Sequence, residues 1–504
     1  MSAAADADYL RVRYPALLLV TVMLSTITVS LDATVANVVL PNVQGSLAAT
    51  QDQIAWVLTS YIVATAIFIP PTGFLAARFG RQRMLGGCIC GFLAASMLCG
   101  MATSLAEMVA FRFLQGAFGA GIGPLGQALV MDHYPQAKRG QAVALVGMGA
   151  SFGPVLGPTL GGYLTEAMNW RWVFFVNVPV CLLALLGVWR CVPRGSIRRD
   201  ISFDTFGFAL LSLAIGSCQL MLDRGHSLNW FASLEIVVEA TVAALCFYLF
   251  LVHMFTARAP FLEPQLFRDR NLVVGLLIIG LGTMSQMAQL ALLPAYLQHL
   301  MHIPVDTVGM LMMPRGVAAM AGMLLASRLV GRVDERAMMV TGLAIFAMSM
   351  YETSTINLYV DTATIVRIGL AQGLGSALLM APLTTIALST LAPRLRTEGA
   401  AMFSLLRNIG GSVGISVLFT RVAEMTQSMH AALGEKITPF SDPASLPAAW
   451  SWGTTAGAMT LDAELTRQAA SVAYLNGYLA MAWLTAITIP LCFLFRRPAV
   501  QGGR

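Results

Sequence analysis

The sequence is short of charge. Aspartate, glutamate, lysine and arginine together make up 11% of its 504 residues, against 57% hydrophobic, whereas a soluble globular chain carries roughly 25% charged residues. A globule of this length cannot conceal so much apolar surface, because its exterior still needs polar cover. The solvent that suits the chain is lipid. Lysine is the scarcest charge, with only Lys138 and Lys436. A phosphate-binding loop needs lysine after glycine and before Ser or Thr, and here Arg139 and Ile437 follow the two lysines. Without that loop, active work must draw on an ion gradient or a partner. The six histidines are scattered with no HExxH pattern, and Cys88 and Cys90 stand too close for a usual zinc knuckle. No metal or cofactor is expected. The eight cysteines form no CxxC pair and lie in or beside apolar runs, as small packing residues do.

What the chain has is long apolar runs. A helix needs about 20 apolar residues to cross a bilayer. Scanning on that basis predicts fourteen spans, near 16–40, 53–76, 84–103, 106–131, 141–165, 171–192, 203–222, 231–254, 271–298, 307–330, 337–354, 362–391, 398–422 and 471–495. The first run exceeds the ~7–15 residues of a signal-peptide core and reads as an uncleaved first helix. With the N-terminus inside, the segments facing the cytoplasm hold 22 of the 31 basic residues and the outer segments 5, leaving four arginines within spans. That asymmetry orients a membrane protein with both termini cytoplasmic. It also accounts for the net charge of +6 without any nucleic-acid partner.

An internal repeat divides the chain. Pro124-Leu125 with Pro135 recurs as Pro382-Leu383 with Pro393, Leu75-Ala-Ala-Arg78 as Leu325-Ala-Ser-Arg328, and Gly149-Ala-Ser-Phe-Gly153 as Gly410-Gly-Ser-Val-Gly414, at nearly constant spacing. The organisation that follows is an all-α polytopic membrane protein. A cytoplasmic segment spans 1–15, a six-helix bundle 16–195, two inserted helices 196–260, a second six-helix bundle 261–496 and a cytoplasmic tail 497–504. Repeated halves are the architecture of alternating-access carriers. The longest stretch outside the spans, 424–470, faces outward with Pro439, Pro443 and Pro447. A loop this long is more often functional than inert and is expected to meet a partner.

Ionisable residues within a membrane are costly and therefore functional candidates. Asp32 on the first helix and Arg112 on the fourth lie roughly 12 Å and 10 Å below the outer ends of their helices, so they can pair or share a cavity. Either they couple transport to protons, through a carboxylate whose protonation follows access to one side, or they brace the helices as a fixed ion pair. Arg367 and Arg407 are their second-half counterparts and read as structural. The run Gly149 to Gly162 is dense in small residues (Gly149, Gly153, Gly157, Gly161, Gly162) and carries Pro154 and Pro158. Small residues let helices approach closely and prolines bend them, which suits a hinge or seal. Gly73, Arg78, Gly80 and Arg81 form a tight turn that is either solvated charge or a gate latch. Gln286 and Gln289, polar in mid-span, are expected at a cavity with Thr34, Asn37 and Gln115. The 29 methionines, such as Met284, Met287, Met310, Met312, Met313, Met320 and Met323, suit an adaptable apolar pocket or lipid-facing filler.

On these residues the chain resembles the major facilitator superfamily, its fourteen-helix drug:proton antiporters, and within them the EmrB-like inner-membrane transporters. Leu31-Asp-Ala-Thr-Val-Ala-Asn37 with Pro41, then Arg112 with Gln115 and Gly116, and Gly149 to Gly162 are similar to that family's first-, fourth- and fifth-helix motifs. Leu222-Asp-Arg-Gly225, Asn229-Trp230, Ala381-Pro-Leu-Thr-Thr385, Ser428-Met-His430 and Thr438-Pro-Phe440 look EmrB-like in particular. The chain departs from the family at Ala77, where the cytoplasmic motif usually holds an acid. The resemblance implies proton-coupled export of hydrophobic or amphipathic compounds from a bacterial inner membrane. It also implies a periplasmic adaptor of the EmrA type and an outer-membrane channel of the TolC type. Export of one dedicated metabolite and uptake by symport on the same fold are the alternatives.

Overall fold

The computed structural model describes residues 14–193, 203–257, 260–330, 332–435, 450 and 454–496. The N-terminal residues 1–13, the tail 497–504 and the proline-rich part of the outer segment, 436–449 and 451–453, lie outside the described residues, so expectations about them stand untested. Among the described residues the chain is helical, with one isolated bridge between Val330 and Val333.

The first half comprises α1 (Pro15–Ser46), α2 (Gln51–Phe68), α3 (Thr72–Phe79), α4 (Arg81–Met101), α5 (Leu105–Gly119), α6 (Ile122–His133), α7 (Gln136–Ala167), α8 (Trp172–Phe175) and α9 (Asn177–Cys191). Two further helices follow, α10 (Thr205–Arg224) and α11 (Leu234–Thr256). The second half holds α12 (Arg270–Ala295), α13 (Val305–Leu329), α14 (Glu335–Ser354), α15 (Thr362–Ser389), α16 (Arg396–Gly434) and α17 (Thr455–Thr488). Polar side chains start several of these helices by accepting an early backbone N–H: Thr50 with Gln53 in a capping box, Ser104, Asp204, Asp269 and Asp361.

Each of the fourteen expected spans coincides with helix. Eleven described helices are long and apolar enough to cross a membrane alone, and α2 with α3 makes a twelfth as a bent pair. Three spans differ from the straight helices expected. Span 53–76 turns by 59° between α2 and α3, at Pro70 and Pro71, which carry no N–H to continue the ladder. Span 106–131 breaks at Ala120-Gly121, and span 171–192 begins with the short α8. The outer segment 424–470 needs correction: it is not mainly loop. Residues 424–434, free of proline and with glycine only at their end, prolong α16, and α17 already starts at Thr455.

The repeat is legible in the packing. In the first half α1 packs on α7 and α9, α4 on α9 and α5, and α2 on α5. The second half repeats this pattern, with α12 on α16 and α17, α14 on α17 and α15, and α13 on α15. The fold is thus that of two six-helix bundles with two inserted helices. The glycines singled out by the repeat do the same task in each half. An added Cβ at Gly153 would sit 2.3 Å from the Ser30 backbone oxygen, and one at Gly414 2.3 Å from that of Met284. Only glycine allows backbones so close.

The inserted α10 covers one seam between the halves. It reaches α2, where Thr59 donates to Asp223, and α16, where Gln219 donates to Ser412 at 2.7 Å and Ser416 to the Leu222 carbonyl at 2.6 Å. Trp230 adds a bond to Thr420 at 2.8 Å. Three of these contacts use the 222–225 and 229–230 stretches noted in the sequence.

Candidate functional site

Asp32 and Arg112 meet. The Arg112 guanidinium donates from Nη1 to Asp32 Oδ2 at 2.7 Å, and each side chain is 1% exposed. Gln115, one turn along α5, donates to Asp32 Oδ1 at 2.8 Å and accepts from Arg112 at 2.7 Å. Asn177 at the start of α9 donates to the same Oδ1 at 2.8 Å and to Ser96 at 3.0 Å, while Ser96 donates to the Phe174 carbonyl at 2.8 Å. The Tyr61 ring lies 4.4 Å from the guanidinium carbon, within cation–π range. The carboxylate thus receives three donors from two helices, an arrangement that complements its ionised form. Arg112 also donates from Nε to the Val57 carbonyl at 3.4 Å. Gln115 belongs to this network and not to an open cavity wall. Asn177, Ser96 and Tyr61 were not singled out in the sequence, because an asparagine at a helix start and a lone serine or tyrosine within an apolar helix are common, and only the tertiary contact marks these.

The helix that carries Asp32 is held by the glycine-rich α7. Gly149, Gly153, Gly157 and Gly161 recur every four residues and meet α1 at Met23, Ser30, Thr34 and Val35. Ser30 donates to the Ala150 carbonyl, and Thr34 packs on Gly157 with its hydroxyl returned to its own helix. α7 runs as helix through Pro154 and Pro158.

A second face of α7 meets the other half. Gly140 faces Val330, Gly147 faces Met323 and Val155 faces Gly316, in antiparallel order along α13. One heptad further, a Cβ added at Gly162 or Gly309 would meet no neighbouring helix within 4 Å. The seam is closed at the end carrying Arg81 and Arg396 and parted at the other. At the closed end Asp132 on α6 accepts from Arg81 and, at 2.7 Å, from Arg396 of the second half. Gly73 abuts Glu398, where an added Cβ would lie 2.5 Å from Cγ. Gly80 joins α3 to α4 with φ 88°, a conformation glycine adopts without strain. Of the residues expected at a latch, Gly73 meets the second half directly and Arg81 reaches it through the shared Asp132; Gly80 makes the turn, and Arg78 lies half-buried on the last turn of α3. The acid at this end is Asp132, which the sequence alone did not mark.

The second half has no such ion pair at the matching place. Gln289 on α12 donates to Gln372 on α15, both fully buried, and Gln372 donates to Thr353 at 3.4 Å. Gln289 is therefore enclosed, Gln286 is half-buried, and Asn37 is exposed toward the parted end, bonded to the Ala33 carbonyl at 3.1 Å. Arg367 is 66% exposed and pairs with Glu352 at 3.2 Å; Arg407 is half-buried and donates to Ser404 at 3.4 Å. The fourth arginine within a span, Arg315, is 8% exposed. Of the methionines, Met287 and Met323 pack on Gly411 and Gly147, while Met310 is exposed. An apolar groove of roughly 620 Å³ runs between α2, α5 and α10, lined by Trp56, Val63, Val109, Phe113 and Leu220 among others.

A repeated, all-helical bundle with a buried charge network and one closed end defines a multi-pass membrane transporter. The chain belongs to the Major Facilitator Superfamily, whose sequence profile matches residues 22–415, and it is EmrB-like. It is 35% identical to the multidrug export protein EmrB of Haemophilus influenzae and 34% identical to that of Escherichia coli K12, over 84% of this chain and of each relative. It is also 34% identical, over 94% of both chains, to the fatty acid resistance protein FarB of Neisseria gonorrhoeae. A crystal structure of the human organic anion transporter MFSD10 (TETRAN) superposes with a TM-score of 0.63 at 14% identity, covering 94% of this chain and 99% of that one. At that identity the likeness speaks for the fold alone.

Proposed function

We propose that this chain is a proton-coupled antiporter that exports hydrophobic and amphipathic compounds, working from a bacterial inner membrane with both termini cytoplasmic. The observation that carries the reading is the Asp32–Arg112 pair, sealed from water on a helix that α7 couples to the interface between halves. Proton exchange needs a carboxylate whose ionisation follows the side that is open. Asp32 ionised holds Arg112, Gln115 and Asn177 together; Asp32 protonated gives up its strongest partner and loosens the link among α1, α5 and α9. The α7 glycine row passes that change to the seam. No cofactor takes part, and the energy is the proton gradient.

The names of the relatives, two for multidrug export and one for fatty acid resistance, support a hydrophobic or amphipathic cargo. The groove between α2, α5 and α10 suits such cargo entering from the bilayer. By the same likeness the chain is the inner-membrane part of a tripartite pump with an EmrA-like adaptor and a TolC-like channel. The prolonged α16 and α17 on the outer side are the surface for the adaptor. The test is Asp32→Asn in proteoliposomes carrying an imposed proton gradient. Gradient-driven accumulation of a lipophilic cation such as tetraphenylphosphonium disappears, while the purified variant remains folded. Undiminished accumulation removes Asp32 from the mechanism.

A further inference from the structure

Arg315 stands in the middle of α13, roughly 15 Å from the start of its helix, and is more than nine-tenths buried. Its Nη1 has no hydrogen-bond partner, and among the described residues it forms no ion pair. Guanidinium does not deprotonate to escape burial, so a cation this far inside a membrane protein calls for an anion. A second donor is unused close by. The Tyr478 hydroxyl on α17 is fully buried, has no partner and interacts electrostatically with Arg315.

The register of the helices places these groups on one level. α12 and α17 run antiparallel: Asn271 bonds to the Arg496 carbonyl, Ser285 to that of Met481, and Tyr296 meets Ser471. That order sets Gln289 level with Tyr478. Gln289 joins Gln372 on α15, and α15 touches Arg315 through Gly369 and Gly373. The next residue, Gly316, is the last contact of the α7–α13 seam before it parts. Arg315 thus lies at the foot of the parted side, with the buried Tyr478 hydroxyl behind it in the second bundle.

We propose that Arg315 and Tyr478 bind the carboxylate headgroup of an anionic amphiphile, whose tail lies along apolar walls of the parted seam. A planar guanidinium matches a carboxylate with two parallel N–H donors, and the tyrosine hydroxyl supplies a third bond. The site names a substrate class, aliphatic carboxylic acids, and so rests on the export reading for its physiological meaning. Its chemistry differs from that of the proton site: Asp32 is held in the other half by its own arginine.

The test compares ligands that differ only in headgroup. Octanoate, octanol and octyltrimethylammonium are titrated calorimetrically into the purified full chain in phosphatidylcholine nanodiscs, which contain no anionic lipid. Octanoate binds at least tenfold tighter than octanol. R315Q abolishes that difference while leaving octanol binding within twofold, and Y478F lowers octanoate affinity by a few-fold. If R315Q does not yield folded protein, R315K serves, with octanoate affinity reduced and octanol affinity kept. Octanoate binding no tighter than octanol, or an octanoate preference that survives in the Arg315 variant, overturns the proposal. Adding phosphatidylglycerol separates the sources: tight competition by the lipid with no octanoate preference in its absence assigns the site to lipid phosphate and also overturns it. Gradient-driven uptake in proteoliposomes is read separately. Its failure with octanoate binding intact sinks the antiport reading and leaves the headgroup site standing.

Discussion

The α7–α13 seam allows two substitutions that push one equilibrium in opposite directions. Alternating access requires the parted end to close and the closed end to part during the cycle. At Gly140, an added Cβ falls 2.0 Å from Val330 Cγ1, while at Gly309 it meets nothing within 4 Å. Leucine at Gly140 therefore overpacks the state described here, and leucine at Gly309 overpacks the opposite one. Overpacking costs about 1–3 kcal/mol, and since about 1.4 kcal/mol is tenfold, the ratio of the two states moves by roughly 5- to 150-fold in each case. Spin labels at Tyr163 and Met310, both exposed near the parted end, report the separation by double electron–electron resonance in a background without the eight native cysteines. Gly309→Leu holds the distribution at the longer distance and Gly140→Leu moves it to the shorter one. Turnover falls in both variants, because each traps one half of the cycle. If both variants shift the distances in the same direction, the seam is not the moving surface.

Other perturbations test other joints of the same scheme. Asp32→Asn leaves Arg112 buried without its counter-charge, a loss of about 3–5 kcal/mol. Thermal unfolding of the purified protein detects it, and the double variant Asp32→Asn/Arg112→Gln recovers part of the Tm while coupling stays lost. Asp132→Asn removes the acid shared by Arg81 and Arg396 and opens that end. A single cysteine placed beside Gly73 then reacts with maleimide about tenfold faster, and an unchanged rate would show that the end is held by packing alone. Gly153→Ala must push α7 away from the Ser30 backbone and lowers Tm, whereas Gly162→Ala, facing open space in this state, changes stability by no more than about 0.5 kcal/mol and leaves Tm nearly unmoved. Deleting Ala444–Gly457 lowers drug resistance of whole cells more than transport by the isolated protein; equal losses would assign that segment to folding.

Much of the fold was readable because lipid imposes simple rules. Twenty apolar residues in a row have few other destinations, so the spans and the repeat came through. Departures fall where a local feature breaks the run, at Pro70-Pro71 and Ala120-Gly121, or where polar sequence stays helical beyond the bilayer, as in 424–434. Of the site, Asp32 and Arg112 were legible because charge in an apolar run is conspicuous. Gln115, Gln289, Thr34 and Asn37 were grouped as cavity residues on polarity alone, and polarity does not say which neighbour a side chain meets. Asn177 and Asp132 lie near helix ends, where polar groups are ordinary; only packing across distant helices shows them facing Asp32 and Arg396. Gln372 had a signal in the repeat, since the spacing from Pro124 to Pro382 carries Gln115 to within one residue of it.

That last correspondence bears on why one bundle carries the ion pair. The two halves share helix pairings and glycine contacts, yet the place of Asp32 and Gln115 in the first half is taken by Gln289 and Gln372 in the second. A buried ion pair is costly to desolvate and is commonly no more stable than an apolar or neutral replacement of the same shape. Two amides fill the same space and bond to each other without a charge that depends on which face of the bilayer is open. A repeated fold can therefore confine its proton-dependent step to one bundle and leave the other indifferent to the gradient. The second bundle also holds the buried Arg315, whose Nη1 has no hydrogen-bond partner among the described residues. On the headgroup proposal, a charge left unbalanced in one half, opposite a charge balanced in the other, makes a carrier in which the counter-ion of the second half arrives as cargo.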